Sequence, residues 1–234
     1  PLVRWQFRGL KEDDRKAFIF ENVVDAKGNH YGMPVAVGTL AASTEVYSIG
    51  LKCTPDEIPE RWTNAQRNPI PPVIVETGPV QQVVRKGDDL LKGYGLDMIP
   101  VPISTPGFDN APYLTCANWI TKEPETGIYN IGNYRGQIKG PNRTGGLLIS
   151  QHMGQHWKKC KEMGIPLHAA IVIGAVPSVA YAATAKLPYD FDEYKLAGGL
   201  GGEPVELVKC QTVDLEVPAS AEVVIEGIIP TEWL

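Results

Sequence analysis

The sequence has no CxxC pair. Its four cysteines, Cys53, Cys116, Cys160 and Cys210, are scattered over 234 residues. That spacing removes zinc-ribbon and thioredoxin-type sites, disfavours a secreted disulfide scaffold at this length, and reads as a protein of a reducing cytoplasm. No apolar stretch of roughly 20 residues is present, so no membrane span is expected. Positive charge is not in excess either. Lys and Arg number 22 against 27 Asp and Glu, and the resulting net charge of −5 offers phosphate backbones no broad basic face, which sets nucleic acid aside as a partner. No segment repeats at a fixed period. No basic-apolar leader precedes Pro1, and the start reads as an internal cut. Apolar residues, at 43% with 21% charged, are sufficient for a folded chain of one large domain or two small ones.

What is present is a series of short β runs punctuated by 24 Gly and 20 Pro. Residues 16–23, 34–37, 73–76, 80–84, 113–122, 127–138, 146–150, 169–174, 205–212 and 221–229 are rich in Val, Ile, Thr and aromatics and bounded by turn residues. Three helices interrupt them. Thr54-Pro55-Asp56-Glu57 is a capping box with Pro at the first helical position, opening a helix that runs to about Asn68-Pro69. A second spans Gln151 to Met163, with Gly164 as its left-handed stop and Pro166 beyond it. A third starts near Pro177 and carries an Ala-rich face. The looser stretch from Arg85 to Asn110 reads as a boundary between part of a small α/β domain over residues 1–105 and a β-barrel with attached helices over 106–234. That is an α+β pattern.

The densest polar cluster is Tyr129-Asn130-Ile131-Gly132-Asn133-Tyr134-Arg135-Gly136-Gln137. Period-two alternation puts Asn133, Arg135 and Gln137 on one face, which is either a solvated strand face or a polar barrel interior. Ser150-Gln151-His152-Met153-Gly154-Gln155-His156 is a strand-to-helix junction with two histidines on one side of a helix. No Glu follows the first, so the zinc-protease motif is absent, and His152 alone reads as a capping or core histidine before a ligand. His30 and His168 have no companions and read as structural. The glycines of Gly198-Gly199-Leu200-Gly201-Gly202 form a flexible loop or let backbone approach a ligand or ion. Glu206, in the apolar run that follows, lies on a wet face or is paired with a cation, because a buried, unpaired carboxylate is costly enough to protonate instead.

Three of these segments stand in one register: Asn130-Ile131-Gly132-Asn133-Tyr134-Arg135, Ser150-Gln151-His152, and Glu203-Pro204-Val205-Glu206-Leu207-Val208-Lys209-Cys210 followed by Val217 to Gly227. Together they resemble the UbiD family of prenylated-flavin-dependent (de)carboxylases, over most of the chain's C-terminal two thirds. The resemblance implies a split β-barrel that binds prenylated FMN, with Asn130, His152 and Glu206 in the positions of the family's divalent-metal ligands. One amide, one imidazole and one carboxylate suit Mn²⁺ or Mg²⁺, with cofactor phosphate and water completing an octahedron. It also implies a K⁺ close by, held largely by backbone oxygens, with the loop from Lys195 to Gly202 similar in place. Arg135 matches the arginine that faces the flavin and orients the substrate carboxylate, a task for a fixed donor fork. The implied cofactor shell is Asn130, Ile131, Gly132, Asn133, Tyr134, Arg135, Gln151, His152 and Glu206. The implied activity is reversible, non-oxidative decarboxylation of an aromatic, heteroaromatic or α,β-unsaturated carboxylic acid with release of CO₂. A flavin prenyltransferase is implied as cofactor supplier, and a homo-oligomer as the state of the full-length protein.

The family's acidic pair and its lysine near the flavin fall in sequence that would follow Trp233-Leu234. The chain as given is therefore expected to bind metal and flavin better than it turns over substrate. Glu222 and Glu226 match non-catalytic family positions. Two rival readings remain at this level: a non-catalytic flavin-binding or cofactor-handling module, and a flavin reductase on a related barrel, in which the Asn130/His152/Glu206 set has no purpose.

Overall fold

The computed structural model describes residues 2–25, 27–103, 105, 107–146 and 151–232. In chain order its helices are α1 (Leu2–Gly9), α2 (Thr44–Leu51), α3 (Ile58–Arg67), α4 (His152–Met163), α5 (Pro177–Ala182) and α6 (Glu193–Gly201). The strands of the first half are β1 (Phe18–Phe20), β2 (Val23–Val24), β3 (His30–Tyr31), β4 (Val35–Val37), β5 (Val73–Ile74), β6 (Tyr113–Leu114) and β7 (Asn118–Lys122). Those of the second half are β8 (Tyr129–Asn133), β9 (Gly136–Gly140), β10 (Arg143–Gly146), β11 (Leu167–Ile173), β12 (Glu206–Lys209), β13 (Glu216–Pro218) and β14 (Val223–Ile229). The fold is a mixed α/β arrangement of several small sheets, none of which closes on itself among the described residues. No described helix is long and apolar enough to cross a membrane.

Two compact units are each gathered from separate stretches. The first takes Pro1–Trp62, Arg85–Leu114 and Gln137–Gly145, and the second takes Thr63–Val84, Thr115–Gly136 and Gly146–Leu234. Strand pairing accounts for this interleaving, because β6 and β9 join β10 in one sheet and draw their segments together.

In the first unit β1 pairs with β4, and β2 with β3, in short antiparallel ladders. The β2–β3 turn is held by the Asp25 carboxylate, which accepts the Lys27 and Asn29 N–H groups at 2.8 and 2.9 Å. α2 is capped by Ser43, whose hydroxyl accepts the Val46 N–H at 3.2 Å, as an N-terminal serine should. The expected capping box of Thr54 and Glu57 is present, with Glu57 accepting the Thr54 N–H at 2.8 Å, and α3 follows a first 3-10 turn.

In the second unit four strands form an antiparallel sheet in the order β14-β11-β7-β8. β11 lies inside it, and the near-continuous burial of Leu167, Ala169, Ala170, Ile171 and Val172 reflects cover on both faces. α4 packs on this sheet and stops where expected, at Gly164 with φ +70°, whose N–H returns to carbonyls of the last turn. α5 starts at Pro177, is buried along most of its length, and packs against α6. A second sheet runs β13-β12-β5, with β5 parallel to β12.

Several sequence expectations change in the fold. The strand expected over 80–84 is absent: a 3-10 turn, Pro79–Gln81, takes its start and Val83 is 71% exposed. Gly78 lies so close to Ala219 that a Cβ there would sit 2.7 Å from the Ala219 carbonyl oxygen, and Pro79 has no N–H to give a ladder. The single strand expected over 127–138 is two, β8 and β9, which join different sheets. The glycines expected as a loop are the C-terminal half of α6 and its cap. They are small because neighbours press on the helix: a Cβ on Gly199 would lie 2.9 Å from the Ala65 Cα. Beyond Gly146, the strand expected to Ser150 lies outside the described residues.

Candidate functional site

β8 is an edge strand, so its outward backbone groups need partners from elsewhere. Asn133 N–H donates to the Ala183 carbonyl at 3.2 Å, and Ile131 N–H donates to the Glu193 carboxylate at 3.1 Å. Between them the cover comes from the end of α5 and the start of α6. Asn130 stands opposite Thr121 of β7, is 4% exposed, and its Nδ2 has no hydrogen-bond partner. The amide acts on the nearby Tyr134 phenol without forming a well-shaped hydrogen bond, which leaves it capacity for a further polar partner.

After Asn133 the chain leaves the sheet for two residues, Tyr134 and Arg135. Gly132 allows this, because the Tyr134 ring folds back over it where a Cβ would collide. Burial pushes the Tyr134 phenol up, while the Asn130 side chain and the Met153 N–H act in the opposite sense. The break ends the expected alternation. Asn133 and Arg135 are exposed, whereas Gln137 is buried and donates to Asn110 at 2.7 Å.

α4 carries the histidines. Gln151 is exposed at its N-cap, with its carbonyl accepting the Gln155 N–H at 3.1 Å; Ser150 lies outside the described residues. His152 is half-buried, burial lowers its pKa, and the imidazole is therefore neutral at pH 7. One turn on, His156 is 1% exposed, is pushed down to about 4 by burial, and has Nδ1 2.9 Å from the Thr121 hydroxyl. The Tyr189 ring lies edge-on to both imidazoles, at 5.4 and 5.7 Å.

The carboxylate that meets these groups is Glu193, the first residue of α6, not Glu206. Asp192 caps the helix by accepting the Tyr194 N–H at 2.9 Å, which turns Glu193 inward, 3% exposed. Its Oε1 is 4.0 Å from His152 Nδ1, the one ion-pair distance it makes among the described residues. Burial pushes its pKa up to about 8; the Ile131 N–H and its own N–H oppose the rise, and the neighbouring Asp192 adds to it. Glu206 is exposed at the start of β12, with no side-chain hydrogen bond or ion pair to Asn130 or His152. The open choice for that residue resolves to the wet face. Within the Lys195 to Gly202 stretch, the Lys195 and Gly198 carbonyls accept the Ile70 and Gly202 N–H groups at 3.0 and 2.8 Å. The sequence did carry a signal for Glu193: Asp then Glu immediately before a helical segment marks an N-cap and first turn.

Among the described residues no three His, Cys, Asp or Glu side chains gather into a metal cluster. The donor set here is mixed: Glu193 accepts the Ile131 N–H of β8 and lies 4.0 Å from His152 Nδ1, Asn130 is the residue before Ile131 on that strand, and any cation would need further oxygens from outside the protein. The residues fit such an ion: a neutral imidazole, an amide with unused capacity and a buried carboxyl short of positive charge form a hard donor set.

The family model described as 3-octaprenyl-4-hydroxybenzoate carboxy-lyase Rift-related domain, UbiD, matches residues 73–233. Anhydromevalonate phosphate decarboxylase of Methanothermobacter thermautotrophicus is 31% identical over 221 residues, which cover 94% of this chain and 48% of the relative. The UbiD-class enzyme HmfF of Pelotomaculum thermopropionicum in complex with FMN superposes with a TM-score of 0.81 at 36% identity, covering 92% of this chain and 46% of its own. An evolved dimeric form of that enzyme in complex with prFMN gives the same TM-score and identity, covering 48% of its own chain. The chain spans about half the length of the curated relatives it matches along most of its extent.

Proposed function

The chain belongs to the UbiD family, and from that premise we propose that it is the flavin-binding part of a carboxy-lyase that removes CO₂ reversibly and without oxidation from an aromatic, heteroaromatic or α,β-unsaturated carboxylic acid. The proposal includes prenylated FMN and a Mn²⁺ or Mg²⁺ ion as resident groups, a split barrel formed by the sheets of the second unit, a K⁺ nearby, and a homo-oligomeric whole protein in the cytoplasm supplied by a flavin prenyltransferase. FMN and prFMN in complexes of the HmfF relative support the cofactor. The observation that carries the reading is the convergence of His152 and Glu193, at 4.0 Å, on the strand that bears the orphaned Asn130 amide.

In this reading Asn130, His152 and Glu193 hold the divalent ion, and Glu193 takes the carboxylate role first sought at Glu206. The bound flavin would supply an electron sink for the pair of electrons left when CO₂ departs. The chain's own tasks are binding, orientation and charge. Burial keeps His152 neutral and therefore able to donate a lone pair. Glu193, short of positive charge in the protein alone, releases its proton when a dication binds. Exposed Arg135, two residues past the end of β8, presents a two-point donor fork to the substrate carboxylate, and Ile131 to Tyr134 with Gln151 line the cofactor.

The test is manganese binding by electron paramagnetic resonance titration, paired with decarboxylation of a panel of aryl and unsaturated acids by the whole protein loaded with prenylated flavin. Asn130→Ala, His152→Ala and Glu193→Gln each remove Mn²⁺ binding, Glu206→Gln does not, and Arg135→Ala leaves binding intact while abolishing CO₂ release. Activity undiminished in Arg135→Ala, or Mn²⁺ binding lost with Glu206 and kept without Glu193, would overturn the assignments.

A further inference from the structure

Each of the two elements that bring the donors together has a tyrosine beside its donor, and both tyrosines reach the same residue. Tyr129 precedes Asn130 on β8, and Tyr194 follows Glu193 on α6. The Tyr129 hydroxyl donates to the Glu216 carboxylate and accepts the Glu216 backbone N–H at 3.0 Å. The Tyr194 hydroxyl, on a side chain with no solvent exposure, donates to the Glu216 carbonyl at 3.0 Å. The two rings meet edge to face at 5.1 Å. Lys122 of β7 completes the set, with Nζ 3.3 Å from the Glu216 carboxylate and 5.1 Å from the centre of the Tyr129 ring.

Alternation along a strand sends Tyr129 to the face opposite Asn130, so anchoring one leaves the other free to face the site. Among the described residues, a direct hydrogen bond between β8 and the start of α6 near the donors is Ile131 N–H to Glu193, and its acceptor is itself a proposed ligand. A carboxylate that must turn toward a cation cannot alone hold the helix in place. Resting on the metal reading above, we infer that Tyr129, Tyr194 and Glu216 are positioning residues: residue 216 is the common post that fixes the N-terminus of α6 against the edge of β8, and with it the gap between Asn130 and Glu193. Lys122 supports the post by compensating the Glu216 charge.

The test uses Tyr129→Phe, Glu216→Gln and their double variant in the full chain, each retaining most of the native volume. Two readouts are needed. In the folded protein, Mn²⁺ affinity falls about tenfold in each single variant, the scale typical of residues that support metal ligands, and the double variant is no worse than the weaker single. Without metal, amide hydrogen exchange at Ile131 speeds up in the variants by a larger factor than at Ile120, its neighbour across the ladder. Unchanged Mn²⁺ affinity together with exchange that rises equally at both amides overturns the inference and leaves the tyrosines as ordinary core. If Glu216→Gln does not fold, Lys122→Met at the partly exposed edge of the network gives the same two readouts with smaller changes. Glu193→Gln separates the two readings. Native Mn²⁺ affinity in that variant defeats the metal assignment, while the Ile131 exchange comparison still decides the positioning claim.

Discussion

Two buried carboxylates on the same unit meet opposite fates. Glu123, at the end of β7, is 2% exposed, and Glu193, at the start of α6, is 3% exposed. Burial pushes both up. At Glu123 it is outweighed by Lys159, whose Nζ is 2.6 Å from the carboxylate, and by the Thr126 and Glu125 N–H groups, which hold the pKa down at about 2. At Glu193 the Ile131 N–H is too little, and the pKa stands at about 8. One corner carries its countercharge within the protein; the other holds a carboxyl that burial keeps largely protonated at neutral pH, where added positive charge would let it ionise. A fold tolerates the second arrangement where a cation is to be bound, and perturbed carboxyls collect at such sites.

The largest test of this contrast is metal affinity. Glu193→Gln should lower Mn²⁺ affinity by more than about 100-fold, beyond the loss that supporting residues cause, and Glu123→Gln should leave it within a few fold. Equal losses in the two variants, measured by the same titration, would erase the distinction between a corner with its countercharge and one without.

The next effect is on stability, and its sign should reverse between the corners. Glu123→Gln takes a charged acceptor from Lys159 and from two backbone N–H groups, and should cost about 2 kcal/mol in urea unfolding. In the metal-free chain Glu193→Gln keeps the shape and removes a buried acid short of partners, so it should be neutral or stabilising by up to about 1 kcal/mol. Adding Mn²⁺ should stabilise the native chain and not the Glu193 variant. Destabilisation of similar size in both would mean that Glu193 is as well satisfied as Glu123.

The sequence made one side of the site legible and hid the other. Helix ends are local chemistry, so the stops at Gly164 and the start at Pro177 could be read from neighbouring residues alone. Asn130 and His152 stand in segments whose polarity interrupts apolar surroundings; Asn130 is buried on β8 and His152 lies 4.0 Å from Glu193. Which acid turns inward is a tertiary property. Tyr189-Asp190-Phe191-Asp192-Glu193 contains three acids, and only the packing of α6 against α5 and β8 buries the last of them. Glu206 drew attention because its run is apolar, yet Leu207 and Val208 take the core and leave Glu206 outside. The β8–β9 break was hidden for the same reason, since its cause is the Tyr134 ring over Gly132, a contact that alternation cannot encode.

The last test is the acid limb of stability, where the corner with its countercharge shows that charge. A carboxyl depressed to about 2 in the fold from 4.5 in the unfolded chain binds fewer protons when folded, so its contribution is fully present above pH 4.5 and is lost as pH falls toward 2. His156 acts higher. Kept neutral by burial to about 4 against an ordinary 6.5, it too binds fewer protons when folded, and its contribution fades as pH falls from 6.5 to 4. Unfolding free energies should therefore decline in two overlapping windows, each by on the order of 1 kcal/mol per pH unit. His156→Gln should flatten the decline between pH 6 and 5, near the His156 window, and Glu123→Gln the decline below 4.5. A Glu123→Gln profile that still falls as steeply as the native one below 4.5 would show that the Lys159 pair and the Thr126 and Glu125 N–H groups do not hold that carboxylate in solution.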